Sequence, residues 1–172
     1  MTVVMGIDPG VASTGIGVVS AAAATMSAVD AGVIEAPPGD PVEARLMRIH
    51  DALSELLIRH RPVAVALEHV YFGKNVRSAI AVGQARGVAL LVAAQRGVPC
   101  FDYTPQAVKM SVCGSGAATK EQVKRMVGAL LGLPAPPESD HAADALAAAI
   151  CHASHARSAR VVNSRDRQES AR

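Results

Sequence analysis

Tryptophan is absent from this 172-residue sequence, and tyrosine and phenylalanine occur only twice each. A core must therefore come from Ala, Val, Leu and Ile, which suits helices packed on a sheet, and each aromatic invites a reason for its position. Cysteine is also scarce. Cys100, Cys113 and Cys151 form an odd set without a C-x-x-C pair, which argues against a disulfide framework or a cysteine zinc site and fits a reducing compartment. The N-terminus lacks the basic and long apolar segments of a signal peptide. The run LAAAIC near the C-terminus is far too short to span a bilayer. A soluble, cytoplasmic protein with no membrane association is expected.

What is present is apolar residues, half of the chain, enough for one well-buried domain at this length. The formal net charge of +2 hides an uneven distribution. Residues 1–70 hold four basic and eight acidic side chains, whereas residues 71–132 hold eight basic (Lys74, Arg77, Arg86, Arg96, Lys109, Lys120, Lys124, Arg125) and two acidic (Asp102, Glu121). Such a segment suits a polyanion-binding face, and equally a set of solvated helix surfaces.

Along the chain, VVMGIDPG reads as a buried strand ended by a Pro-Gly turn, and STGIGVVSAAAA and MSAVDAGVIEAP continue as an antiparallel meander. Val42, Leu46, Ile49, Leu53 and Leu56/Leu57 follow at helical spacing between prolines. VAVALEHV has the unbroken apolar character of a strand covered on both faces. A polar YFGKN loop, a long small-residue helix (VRSAIAVGQARGVALLVAAQRG), a strand (VPCFDYTP), two shorter helices and a last helix beginning near His141 complete the order. Strands first, then helix–strand–helix–strand, then helices, implies an α/β protein with a mixed five-stranded sheet flanked by helices on both faces. One domain over 1–156 is expected, with 157–172 as a flexible polar tail, because periodicity is lost there.

Three acids sit at the ends of core elements: Asp8 closes the first strand, Glu68 ends VAVALE, and Asp144 lies in the first turns of the last helix, on the same face as His141 three residues earlier. An acid ending a strand such as VAVAL is unfavourable to bury unless it is paired or bound to metal. Three such positions can converge on a cation, and carboxylates are the hard donors that Mg²⁺ and Mn²⁺ prefer. Two ions about 3.5–4 Å apart activate a water and stabilise a leaving oxygen in phosphodiester hydrolysis. Asp140 is read as an N-terminal helix acid pointing away from this face.

GIDPGVASTGIGVV, VALEHVYFGKN, GQARGVALL and HAADALAAAICH occur in an order and spacing that resembles the RuvC-type Holliday junction resolvases from about residue 3 to 155. GIDPG alone is a weak signal; GQARG followed by HAADALA is specific. The resemblance implies an RNase H-like fold, resolution of four-way DNA junctions in recombination and repair, and a catalytic metal set of Asp8, Glu68, His141 and Asp144 with two Mg²⁺ (Mn²⁺ substituting) per subunit. The family carries Asp or His at the position of His141, and a His removes one negative charge and requires a neutral imidazole. The resemblance further implies that Tyr71, with Phe72 the less favoured choice, opens the junction centre by stacking on a base. Lys74, Asn75 and Arg77 would contact phosphates, while Lys109 and Lys120 would neutralise charge near the scissile phosphate. A homodimer matched to two symmetric strands and a branch-migration helicase as partner are implied as well.

Two other readings remain open. RuvC-like RNA-processing nucleases share the GxD start, although the GQARG helix and HAADALA ending together argue against them. An actin-like ATPase fragment also begins GIDxG, but needs two related domains and further glycine motifs.

Overall fold

Strand β1 (Thr2–Asp8) pairs antiparallel with β2 (Ser13–Ala21), which in turn pairs antiparallel with β3 (Met26–Glu35), the expected meander. The computed structural model describes all residues except 23, 24, 38, 70–75 and 170–172, and all side chains except also those of 77 and 158–169. After helix α1 (Val42–His60), strand β4 (Ala64–Glu68) enters parallel to β1 on its other side. Helix α2 (Val76–Gln95) leads to β5 (Cys100–Tyr103), parallel to β4. The sheet order is β3-β2-β1-β4-β5. Helices α3 (Pro105–Cys113), α4 (Lys120–Leu131) and α5 (Asp140–Glu169) follow.

Local chemistry sets the helix ends. Thr104 caps α3 by accepting from the Ala107 amide, with Pro105 at the first helical position. Thr119 and Gln122 form a reciprocal capping box at the start of α4. Gly114 and Gly132 end α3 and α4 in the left-handed conformation.

Strand alternation then divides the core. Met5, Ile7, Val65 and Leu67 pack with Ile49, Leu53 and Leu57 of α1 and Ala85, Ala89 and Val92 of α2. Val4 and Ala66 face the opposite way, against Leu146–Cys151 of α5, with Val108 and Val112 of α3 and Val123 and Val127 of α4 around them. Both faces of the sheet are covered, as its apolar strands require. Residues 78–95 of α2 are long and apolar enough to cross a bilayer, yet this helix buries Ala85, Ala89, Val92 and Ala93 against α1 and the sheet.

At its glycines the sheet meets α5 with no side-chain bulk between them. A Cβ added at Gly6 would lie 1.8 Å from the Ala145 carbonyl oxygen; at Gly17, 2.6 Å from the Leu146 nitrogen. Helix α5 contributes Ala142, Ala143, Ala145, Ala147, Ala148 and Ala149, all buried. Backbone thus rests on backbone, which dispersion favours only when nothing larger intervenes. The helix continues to Glu169, past the point near residue 156 where the sequence periodicity ends. Residues 157–169 include Arg, Ala, Gln and Glu, which favour helix without supplying an apolar stripe, so periodicity cannot report them.

Candidate active site

The register places two acids side by side. Gly6 and Ile7 of β1 stand opposite Ala66 and Leu67 of the parallel strand β4. Asp8 and Glu68 are the next residues of their strands in the direction that faces α5, on neighbours about 4.8 Å apart. Beyond Asp8 the chain turns at Pro9-Gly10, and the buried Thr14 hydroxyl donates to the Gly10 carbonyl at 2.7 Å, fixing the exit of β1.

Helix α5 brings the other two residues. His141 Nδ1 lies 2.7 Å from Asp8 Oδ2. Asp144, one turn on, has its Oδ2 3.4 Å from Lys120 Nζ at the start of α4. Asp8 and Asp144 are about three-quarters buried, whereas His141 and Lys120 are half-exposed. The group lies at the carboxyl ends of β1 and β4 under the N-terminus of α5, whose partial positive charge favours anions nearby. An apolar cavity of about 610 Å³, lined by Met1, Val4, Val63, Phe101, His152 and Ala153 among others, opens near the starts of these strands, away from the acids.

The cluster carries more negative charge than its surroundings satisfy. Burial, then Asp144 and Asp8, push Glu68 up to about 7, against the lowering influence of Lys109 and Lys120. Burial likewise raises Asp144, with Lys120 opposing and Asp8 adding to the rise. Burial acts to lower Lys120, but Asp144 and Asp140 outweigh it and hold the ammonium above its usual range. A divalent cation would relieve this repulsion, and three carboxylates with an imidazole are a suitable donor set. Among the described residues, no three His, Cys, Asp or Glu side chains are gathered as ready-made ligands to one ion. Asp8 is turned to His141 and Asp144 to Lys120, so a bound ion would take over contacts already in use.

The burial of Glu68 and the repulsion from its acidic neighbours have a measurable consequence for stability. In the unfolded chain Glu68 titrates near its reference value of 4.5; folded, it titrates near 7. The folded state therefore holds the extra proton between these values, and metal-free stability falls as pH rises through that window. Glu68→Gln should leave Tm unchanged near pH 4.5 and raise it at pH 8. After discounting for solvent screening the gain is about 1–2 kcal/mol, or a few degrees. Thermal melts in chelator at both pH values test this, and an equal shift at both would mean that charge at Glu68 is not the cause.

Of the basic residues expected at the site, Lys109 and Lys120 are brought there. Tyr71, Phe72, Lys74 and Asn75 lie outside the described residues; Arg77 falls in the first turn of α2, its side chain likewise outside. Asp140 departs from expectation. Its Oδ2 lies 3.3 Å from the same Lys120 Nζ that approaches Asp144, and its Oδ1 lies 3.0 Å from Lys124 Nζ. Residues four apart share a helix face, so Asp140 and Asp144 can reach one lysine. That spacing was the signal in the sequence; Lys124 as a partner had none.

A mixed sheet of this order, covered by helices on both faces and with acids at the carboxyl ends of its central strands, is the arrangement of an RNase H-like protein. The profile of the family described as crossover junction endodeoxyribonuclease RuvC matches residues 4–152, and this chain belongs to that family of nucleases. A crossover junction endodeoxyribonuclease RuvC of Pelotomaculum thermopropionicum is 50% identical over 152 residues, covering 88% of this chain and 93% of that protein. Its counterpart in Moorella thermoacetica is 50% identical over 153 residues, covering 89% and 92%. Thermus thermophilus RuvC, solved in complex with a Holliday junction substrate, superposes with a TM-score of 0.88 at 41% identity, covering 92% of this chain and 97% of that one. The yeast mitochondrial Holliday junction resolvase Ydc2 shares the fold, with a TM-score of 0.60 at 13% identity.

Proposed function

We propose that this protein resolves four-way DNA junctions by paired, symmetric phosphodiester hydrolysis, with Asp8, Glu68, Asp144 and His141 holding the metal. The observation that carries the reading is the acidic group at the carboxyl ends of β1 and β4, in a chain of the RuvC family, with Glu68 pushed up to about 7 by burial and by its neighbours Asp144 and Asp8. Magnesium, two ions per subunit, is the expected cofactor, with Mn²⁺ as a substitute; bound there, the ions supply an activated water and charge neutralisation at the phosphate. The protein's own part is to orient and to screen. Asp8 and Glu68 are fixed by strand register, and Asp144 and His141 by the seating of α5. Lys109 and Lys120 offset negative charge where the phosphate must enter.

Substrate recognition is assigned to the segment after β4 and the start of α2. Tyr71, or with less support Phe72, stacks on a base at the junction centre, while Lys74, Asn75 and Arg77 contact phosphates. The outer side of α2 supports a homodimer: Val76, Ile80 and Leu91 are exposed there, and Gly83 and Gly87 have open space before them. Two such subunits would address two symmetric strands. A cytoplasmic setting and a branch-migration helicase as partner follow from the family resemblance alone.

The test compares purified protein on a synthetic four-way junction and on structured RNA in Mg²⁺. Paired nicks at symmetric positions of the junction, with RNA intact, are expected. Efficient RNA cutting with the junction untouched would assign the protein instead to RNA processing.

A further inference from the structure

Asp140 opens α5 and has no role in the scheme above, yet its carboxylate is engaged on both sides. Lys124 Nζ donates to Asp140 Oδ1 at 3.0 Å and to the Glu138 carbonyl at 2.8 Å. That lysine is only 18% exposed, so it is a defined anchor rather than a mobile surface charge. The other oxygen, Oδ2, faces Lys120 Nζ at 3.3 Å, and the same ammonium stands 3.4 Å from Asp144 Oδ2. The four groups form a row: Lys124, Asp140, Lys120, Asp144.

Lys120 is thus shared between two carboxylates at nearly equal distance. Its pairing with Asp144 cannot persist unchanged once a divalent cation takes that carboxylate. With only one partner, the lysine would have to be expelled to solvent, and its lost interaction would count against the incoming ion. With Asp140 beside it, held by Lys124, the ammonium keeps a partner throughout. Exposed ion pairs are individually weak; here the anchored carboxylate reduces the ordering entropy that usually cancels them.

We infer that Asp140 is a positioning residue, a dock that receives Lys120 when a divalent cation occupies Asp144 and so keeps the ammonium beside the scissile phosphate. This rests on the assignment of Asp144 as a metal ligand. It predicts that Asp140 assists metal binding through Lys120, not through its charge alone.

The experiment is a double-mutant cycle read as Mn²⁺ affinity by titration calorimetry on the full-length protein without DNA. Asp140→Asn should weaken Mn²⁺ binding about 3–10-fold in the wild-type background, in the range of coupled salt-bridge networks. In a Lys120→Met background the same change should weaken it less than about twofold, the residue of a screened charge. Equal weakening in both backgrounds would show Asp140 acting as a plain negative charge, and no weakening in the wild type would remove its role; either overturns the dock. Asp144→Asn separates the two readings. If it leaves Mn²⁺ affinity unchanged, the ligand assignment fails and the dock with it; if it weakens binding while the cycle shows no coupling, the dock alone fails.

Discussion

Asp8→Asn, Glu68→Gln and Asp144→Asn should each reduce four-way junction cleavage in Mg²⁺ by more than about 10²-fold, exceeding the 10–100-fold loss typical of residues that merely support a metal ligand. Junction affinity, measured by gel shift in Ca²⁺ or chelator, should stay within about threefold or tighten slightly, because phosphate contacts by Lys and Arg dominate binding and an acid facing DNA opposes it. The amides preserve shape, so a cleavage loss cannot be attributed to packing. His141→Asn should be milder than any of the three, since His141 is half-exposed and brings no formal charge to the site when neutral. A carboxylate variant that cuts at near wild-type rate would remove that residue from the metal set. A variant that loses binding and cleavage together would point to a folding defect instead, which a melt would reveal.

Much of this arrangement is legible in the sequence because strands and helices announce themselves through period. VAVALE reads as a strand buried on both faces, and β4 is exactly such a strand between α2 and α5 in the packing of its alternate residues. Asp8, Glu68 and Asp144 stand out as acids at element ends. Their adjacency does not, since it depends on the parallel register of β1 and β4, which joins residues sixty apart. The basic excess of residues 71–132 also divides in a way that composition hides. Lys109 and Lys120 reach the acids, but Arg86 pairs with Asp102 of β5 and Lys124 with Asp140. A segment charge counts side chains without knowing which are already engaged by a distant carboxylate.

The seam of glycines under α5 is the other feature that periodicity misses, because glycine in a strand reads as weakness until its neighbour is known. Gly15 is paired with Asp8 across the β1–β2 ladder. A Cβ placed there would lie 2.0 Å from the His141 carbonyl oxygen, 2.4 Å from its carbonyl carbon and 2.9 Å from its Cβ. Two of those three atoms are backbone, so no side-chain rotation relieves the clash and the first turn of α5 must lift. Gly15→Ala should therefore destabilise the protein by about 3 kcal/mol, at the upper end of overpacking effects, and separate His141 from Asp8. Urea unfolding measures the first consequence and Mn²⁺ titration the second, with metal affinity falling even where the protein remains folded. Gly6→Ala, deeper along the same helix and closer to its backbone, should destabilise more than Gly15→Ala. Gly32→Ala is the matching control, since nothing lies within 4 Å of a Cβ there, and its midpoint should stay near that of the wild type. A wild-type unfolding midpoint for Gly15→Ala would mean that α5 does not rest on β2 as described, and the route by which His141 and Asp144 reach Asp8 would have to be another.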